Sequence, residues 1–132
     1  MEKDLEKLAK NLYKEMFNEV LTIPVTFNNG FTVTLGRAYY KPVGNNTYKP
    51  TRLEIASNLI NNLEHLMFAL KHELIHIYLY EKFSDNTHGK RFQNYAKKFG
   101  VYTINPYTGK ESFTTLYAST LPKGGAFHVR EA

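Results

Sequence analysis

Three stretches of the chain repeat apolar residues at the spacing of an α-helix. Residues 3–20 place apolar side chains three or four positions apart, with Lys, Glu and Asn between them, which predicts an amphipathic helix. Residues 61–82 are apolar almost all the way round, so we expect this central helix to be buried on most sides. A third helix is predicted from near His88 to Phe99, where Gly100 suits a helix end.

Between the first two helices, residues 23–60 alternate β-branched and aromatic residues with polar ones. Asn28-Asn29-Gly30 is a hairpin turn signal, so Ile23–Phe27 and Phe31–Leu35 are expected to pair as neighbouring strands. Two further strands are predicted, at Gly36–Tyr40 and Arg52–Ala56. Together these strands are expected to form a small antiparallel sheet.

The last part of the chain has no convincing helical pattern. Short strand-like runs alternate with turns at 105–109 and 122–125, which predicts a β-hairpin or a three-stranded meander. The expected fold class is therefore α+β: a small antiparallel sheet packed on three helices, with a C-terminal hairpin or meander.

Composition narrows the class of protein. A length of 132 residues suits one domain with a core of its own. The absence of cysteine excludes disulfides, cysteine-ligated zinc, iron–sulfur clusters and a cysteine nucleophile. The N-terminus is charged and lacks the apolar run of a signal peptide, and no stretch is long enough to cross a membrane. We therefore expect a cytoplasmic protein.

The pattern His72-Glu73-x-x-His76 stands inside the apolar central helix. Residues four apart on a helix lie about 40° from each other and about one turn apart, so the two imidazoles project from one face. Glu73 lies about 100° round from His72, close enough to act as a general base without being a ligand. This arrangement is typical of a zinc hydrolase, so Zn2+ is the expected cofactor. The alternative, three polar residues kept for packing, is disfavoured because unsatisfied polar groups are costly in an apolar helix.

A catalytic zinc site uses three protein ligands and leaves a fourth position open. His88 stands at the start of the third helix, where a loop can return it to the first two histidines. The expected metal ligands are therefore His72, His76 and His88. Two other histidines are weaker candidates for the third ligand, because His65 lies about 10 Å along the helix axis from His72 and His128 lies near the C-terminus.

Several segments together resemble one known family. They are HELIH at 72–76, HGKRF at 88–92, LGRAYY at 35–40 and the stretch Arg52–Leu59. They are similar to segments of the SprT-like metalloproteases, which include the bacterial SprT proteins and the Spartan proteases of eukaryotes. The combination of HExxH with a later HGxxF is the most specific element, and the resemblance covers residues 5–100.

The resemblance implies a zincin fold, with the same three histidines on zinc and the same general base. It implies a catalytic core over residues 1–100 and a small cysteine-free β extension over residues 101–132, packed on that core. Spartan-type members degrade proteins crosslinked to DNA, so DNA–protein crosslink repair and DNA binding are implied as well. Many members carry a Cys-rich zinc ribbon after the core, and this chain lacks its cysteines. DNA recognition by such a ribbon is therefore not implied here.

We expect a zinc-dependent endopeptidase in which activated water attacks a peptide bond and Glu73 takes the proton of that water. The candidates for a second oxyanion donor or a substrate contact are Tyr39, Tyr40, Tyr48 and Arg52. The expected partners are a protein or peptide substrate and DNA, single-stranded or damaged, without a membrane. The chain is expected to be a monomer.

Two alternatives remain from the residues alone. The first is a nucleic-acid-associated binding module with a structural or vestigial zinc site, since the formal net charge of +5 suits an acidic partner. The cations expected to contact nucleic acid are Lys90, Arg91, Lys97 and Lys98. The second is a hydrolase of a non-peptide amide, because HExxH does not encode the substrate.

Overall fold

Three helices, a three-stranded sheet and two short strand pairs form the part of the chain that the structure describes. This computed structural model describes residues 2–31, 34–45, 47–113, 115–116 and 127–128, and of 2–3, 115–116 and 127–128 the backbone only. The elements are α1 (Glu2–Phe17), β1 (Val25–Asn28), β2 (Gly36–Gly44), β3 (Thr47–Ala56), a 3-10 helix (Ser57–Asn61), α2 (Leu63–Phe83), α3 (Lys90–Phe99), β4 (Thr103–Ile104), β5 (Glu111–Ser112), β6 (Thr115–Leu116) and β7 (Phe127–His128). They confirm the predicted α+β class.

The main sheet is mixed, so the prediction of a purely antiparallel sheet was wrong. Its strand order is β1-β3-β2. β2 and β3 form an antiparallel hairpin, whereas β1 runs parallel to β3, with Val25 opposite Leu53 and Phe27 opposite Ile55. Leu53 and Ile55 of the central strand β3 are fully buried, so the middle of the sheet belongs to the core.

The turn after β1 leads the chain away from its predicted partner. Asn28 Oδ1 accepts a hydrogen bond from the N–H of Gly30 at 2.7 Å, and Asn28 Nδ2 donates to Glu54 Oε1 at 2.9 Å. The Asn28 side chain thereby joins the end of β1 to β3 instead of closing a hairpin. Of the predicted second strand, 31–35, residues 32 and 33 lie outside the described part, and the rest are not in a strand.

α2 is the centre of the core, as its apolar pattern predicted. It packs against β2 and β3 on one side, and against α1 and α3 on others. Its fully buried apolar residues include Leu70, Leu74, Ile75, Ile77 and Leu79. Within the described residues, none of the helices combines the length and the apolar character that crossing a bilayer requires.

Left-handed residues end both α2 and α3. Ser84 follows α2 with φ 53°, and its N–H donates to the Tyr80 carbonyl at 2.9 Å. Gly100 follows α3 with φ 73°, in the role the sequence predicted for it. The turn at Ser84 reverses the chain so that the short segment between α2 and α3 runs back along α2.

The C-terminal part contains the short antiparallel pairs β4–β5 and β6–β7. The first pair has Thr103 opposite Ser112 and Ile104 opposite Glu111. These pairs agree with the strand-and-turn pattern predicted for this part of the chain.

Candidate metal centre

Three histidine side chains meet beside the middle of α2. His72 and His76 lie one turn apart on α2, and His88 lies in the segment between α2 and α3. The Nε2 atom of His88 is 3.2 Å from Nε2 of His72 and 3.0 Å from Nε2 of His76. One nitrogen from each ring lies within 4.8 Å of the others. The chain therefore returns His88 to the helical pair, at the place where the sequence predicted a third ligand.

The donor set fits a zinc ion. Tetrahedral zinc with Zn–N bonds of about 2.0–2.1 Å separates its nitrogen ligands by about 3.3 Å. The observed separations of 3.0 and 3.2 Å are close to that value. Hydrogen bonds need alternating donors and acceptors, whereas a cation accepts a lone pair from each of three neutral imidazoles at once. Among the described residues the group has three members, as in catalytic sites that keep one position open.

Burial keeps these imidazoles in the form that binds a metal. Desolvation, with His76 and His88 nearby, holds the pKa of the fully buried His72 well below its usual range. Burial, with a further contribution from His88, lowers the pKa of His76 to about 3. Burial also lowers the pKa of the half-buried His88. At neutral pH each ring is therefore uncharged and presents a lone pair rather than a competing proton.

The ring of Phe92 packs against all three imidazoles. Its centroid lies 4.7 Å from that of His72, 4.6 Å from that of His76 and 4.9 Å from that of His88. Phe92 belongs to α3 and is fully buried, so it excludes water from the interior side of the histidines. The packing of α3 on α2 therefore determines where His88 meets the other two rings.

An aspartate organises the loop that carries His88. Asp85 Oδ1 accepts hydrogen bonds from the backbone N–H of Thr87 at 2.9 Å and from its hydroxyl at 2.7 Å. Asp85 Oδ2 accepts from Nη1 of Arg91 at 3.5 Å, and Nε2 of Gln93 donates to the carbonyl of His88 at 3.0 Å. The hydrogen bonds from Thr87, and after them that from Arg91, hold the pKa of Asp85 below its usual value. The loop is thus held at several points around its histidine.

Glu73 lies on α2 beside the histidines and is almost fully buried, with 1% of its surface exposed. β2 passes directly over it at Gly36. A Cβ atom added at Gly36 would lie 3.0 Å from Cγ of Glu73 and 3.0 Å from Cδ1 of Ile55. Only glycine leaves room here for the strand to approach the carboxylate this closely.

Comparison with known families identifies the group to which this protein belongs. The model of the SprT-like family matches residues 5–111. The chain belongs to the SprT-like family. No curated protein and no solved structure matches it. Membership confirms the resemblance predicted from the motifs, and with the histidine cluster it points to a metalloprotease-type role.

The tyrosines and the arginine predicted as oxyanion or substrate contacts of this SprT-like protein lie along the β2–β3 hairpin. The Arg52 guanidinium carbon lies 3.7 Å from the centre of the Tyr39 ring. Arg52 alternates with the buried Leu53, so this pair is on the outer face of the sheet. Tyr40 and the 48% exposed Tyr48 border a pocket near the end of α2. A role in oxyanion binding stays a prediction for all four.

The four cations predicted to contact nucleic acid lie exposed on α3. Arg91 lies 4.4 Å from the centre of the Phe83 ring and contacts Asp85, so it also belongs to the loop around His88. Lys97 pairs with Glu111 at 3.1 Å. Lys90 and Lys98 are the other two exposed cations. Contact with nucleic acid stays a prediction for all four.

Of the remaining histidines, His65 is buried on α2, outside the group of three, and the side chain of His128 lies outside what the structure describes.

Three residues of the site were not predicted as functional. Gly36 had a signal, since a glycine inside a strand often marks close approach by another group. Asp85 had a weaker one, because Asp two residues before Thr suits a local side-chain turn. Phe92 ends the HGxxF element of the family resemblance, and its contact with three imidazoles required the tertiary structure.

The loop analysis predicts that Asp85→Ala weakens zinc binding about tenfold or more, because residues that orient a ligand typically contribute this much. Zinc affinity is measured by competition with a chromophoric chelator, and amide hydrogen exchange at Thr87 should become faster. Asp85→Asn is the matched control, since its Oδ1 still accepts the bonds from Thr87. Unchanged affinity and exchange in Asp85→Ala would show that the loop does not depend on this side chain.

Proposed function

We propose that this chain is a zinc-dependent endopeptidase of SprT-like type. His72, His76 and His88 hold the zinc ion, and Glu73 is the general base. The proposal rests on one observation above all: three neutral imidazoles converge beside a buried carboxylate on the same helix. Membership of the SprT-like family supports the class of activity.

Zinc, when bound, supplies a water of lowered pKa and polarises the carbonyl of the scissile bond. A carboxylate oxygen of Glu73 accepts the proton of the attacking water and then transfers it to the leaving amine nitrogen. The close contact with Gly36 holds that carboxylate against the edge of the site. Phe92 keeps water out of the interior side, so the reacting groups meet in a partly desolvated environment.

A purely structural zinc site has less support. Structural sites are closed by four protein ligands, whereas the described residues offer a group of three. A structural site also has no use for an acid held beside the ligands. The binding-module alternative therefore leaves Glu73 and its contact with Gly36 unexplained.

The general base is tested with Glu73→Gln, which keeps the shape of the side chain and removes its basicity. We expect the variant to retain about one equivalent of zinc and to lose peptide cleavage by a factor of about 100 or more. Zinc is measured by metal analysis and cleavage with a casein or peptide assay. Glu73→Gln cleaving as fast as the parent would exclude the assignment.

The metal ligands are tested with the same metal analysis. His88→Ala should lose most of its zinc, because two imidazoles remain. His65→Ala is the matched control, since it removes a buried histidine from the same helix outside the group of three. Equal zinc contents in these two variants would contradict the assignment of His88.

The approach of β2 to the general base gives a further prediction. Gly36→Ala should displace the Glu73 carboxylate, because a Cβ atom would lie 3.0 Å from its Cγ. We expect the cleavage rate to fall roughly tenfold to a hundredfold, since small misplacements are costly in catalysis, while the zinc content stays unchanged. Gly44→Ala on the same strand is the control, because nothing lies within 4 Å of the added Cβ. The idea fails if both variants are equally active.

We also propose that the substrates include proteins held on DNA. α3 begins two residues after His88 and exposes Lys90, Arg91, Lys97 and Lys98, so a nucleic acid on this helix would lie next to the site. Positive charge on one helix face supports such contact.

Binding of single-stranded DNA should be salt-dependent, and Lys90→Gln with Lys98→Gln should reduce the slope of log affinity against log salt by about 1.4. The measurement is fluorescence anisotropy of a labelled oligonucleotide across a salt series. Lys7→Gln with Lys14→Gln removes the same charge from α1 as a control. Absence of binding at low salt would remove the DNA part of the proposal, and equal slopes for both double variants would remove α3 as the surface.

A further inference from the structure

A pocket of about 410 Å³ opens between β2, the start of β3 and the end of α2. Its wall is largely aromatic. The lining side chains that matter here are Tyr39, Tyr40, Tyr48, Tyr80, Arg37 and Asn86. The volume lies within the range of about 300–1,000 Å³ that is usual for sites of small ligands. Four tyrosines line one space, and no sequence pattern indicated that they would meet.

The pocket adjoins the candidate catalytic residues. Tyr80 follows His76 by four residues and Glu73 by seven, so on α2 it lies about 40° from the first and about 20° from the second. Asn86 precedes His88 by two residues on the other side. The pocket is therefore reached from the site by moving one turn along α2.

β2 connects the two places. It covers Glu73 at Gly36 and continues to Tyr40, whose ring centre lies 4.8 Å from that of Tyr80. In the strand order β1-β3-β2 this strand is an edge, and an edge can pair with an extended peptide. A peptide held along β2 would direct alternate side chains towards α2, and one of these would enter the pocket.

Tyr39 is held from the outer face of the sheet before any ligand arrives. Its ring lies under the Arg52 guanidinium at 3.7 Å, and its side chain is hydrogen-bonded to Glu54. The register of β2 and β3 shifts between Tyr39 and Tyr40, and the hydroxyl of Thr51 donates to the Tyr39 carbonyl at 3.2 Å. Bulges of this kind redirect side chains beside active sites. Here the irregularity falls between two neighbouring tyrosines that line the same pocket.

We infer that this pocket is a specificity subsite that takes an aromatic side chain of the substrate next to the scissile bond. The inference rests on the proposed peptidase function. Aromatic rings pack favourably on one another in offset or edge-to-face geometry, and Tyr40, Tyr48 and Tyr80 of the lining offer rings for such packing. The electron-rich faces of these rings disfavour a carboxylate.

The test uses fluorogenic peptides that carry Phe, Ala, Asp or Lys at each position flanking the cleaved bond, with the zinc-loaded full chain. We expect kcat/KM for the Phe peptide to exceed that for the Ala peptide about tenfold at one position, as ring packing of this strength implies. Tyr80→Ala should reduce this preference to about twofold and leave the zinc content unchanged. Tyr48→Ala removes a half-exposed ring of the same wall, so it tests the pocket even if Tyr80→Ala does not fold. Tyr107→Ala is the control, because Tyr107 is 92% exposed and does not line the pocket. This variant should keep the preference for the Phe peptide.

A binding measurement separates recognition from chemistry. Labelled Phe and Ala peptides are titrated into Glu73→Gln protein, where the Phe peptide should bind about tenfold more tightly. Cleavage of all four peptides at equal rates, a preference for Asp or Lys, or a Phe preference that survives both Tyr80→Ala and Tyr48→Ala would overturn the subsite and leave the peptidase proposal standing. Absence of any cleavage by the parent protein would overturn both.

Discussion

Burying His72, His76 and the Glu73 carboxylate beside the half-buried His88 is the constraint on which the rest of this structure depends. Removal from water disfavours the charged form of each histidine, so burial favours neutral rings. That requirement places α2 at the centre of the fold, because its neighbours must exclude water from His72 and Glu73. It also explains Phe92, whose ring contacts all three imidazoles from a different helix. The packing of the core therefore determines the protonation state of the site residues.

The hairpin of β2 and β3 connects the buried site to the tyrosine-lined pocket. At Gly36, β2 approaches the candidate general base as closely as a glycine allows. Further along, the same strand is the edge of the sheet among the described residues and contributes to the tyrosine-lined pocket. A shift of β2 would thus move the carboxylate of Glu73, the edge of the sheet and the pocket together. On the opposite side, the Asp85 loop connects His88 to α3. The site is held between the β2–β3 hairpin and the Asp85 loop, and both α3 and the hairpin pack against α2.

The sequence was most informative where a function depends on local geometry. His72, Glu73 and His76 stand on one helix, so their relative positions follow from helical spacing alone. His88 could be predicted as the third member because a zinc site needs one and the chain places a histidine at the next helix start. The Asn28–Gly30 turn was misinterpreted, because a hairpin and a local side-chain turn have the same residue signature. The choice between them lay in Glu54, 26 residues away, which binds the Asn28 side chain.

By itself, then, the sequence determined the three helices, the α+β class, the helical histidine pair with its acid, and membership of the SprT-like family. Only the tertiary structure decided that β1 runs parallel to β3 and that Phe92 packs against the histidines. It also decided that β2 passes close to Glu73 at Gly36 and that four tyrosines line one pocket. The physical reason is the sequence separation of the residues involved. Spacing along a helix is set by neighbouring residues, whereas these contacts depend on which strand edge and which helix face meet, and that is decided by the burial of the whole core.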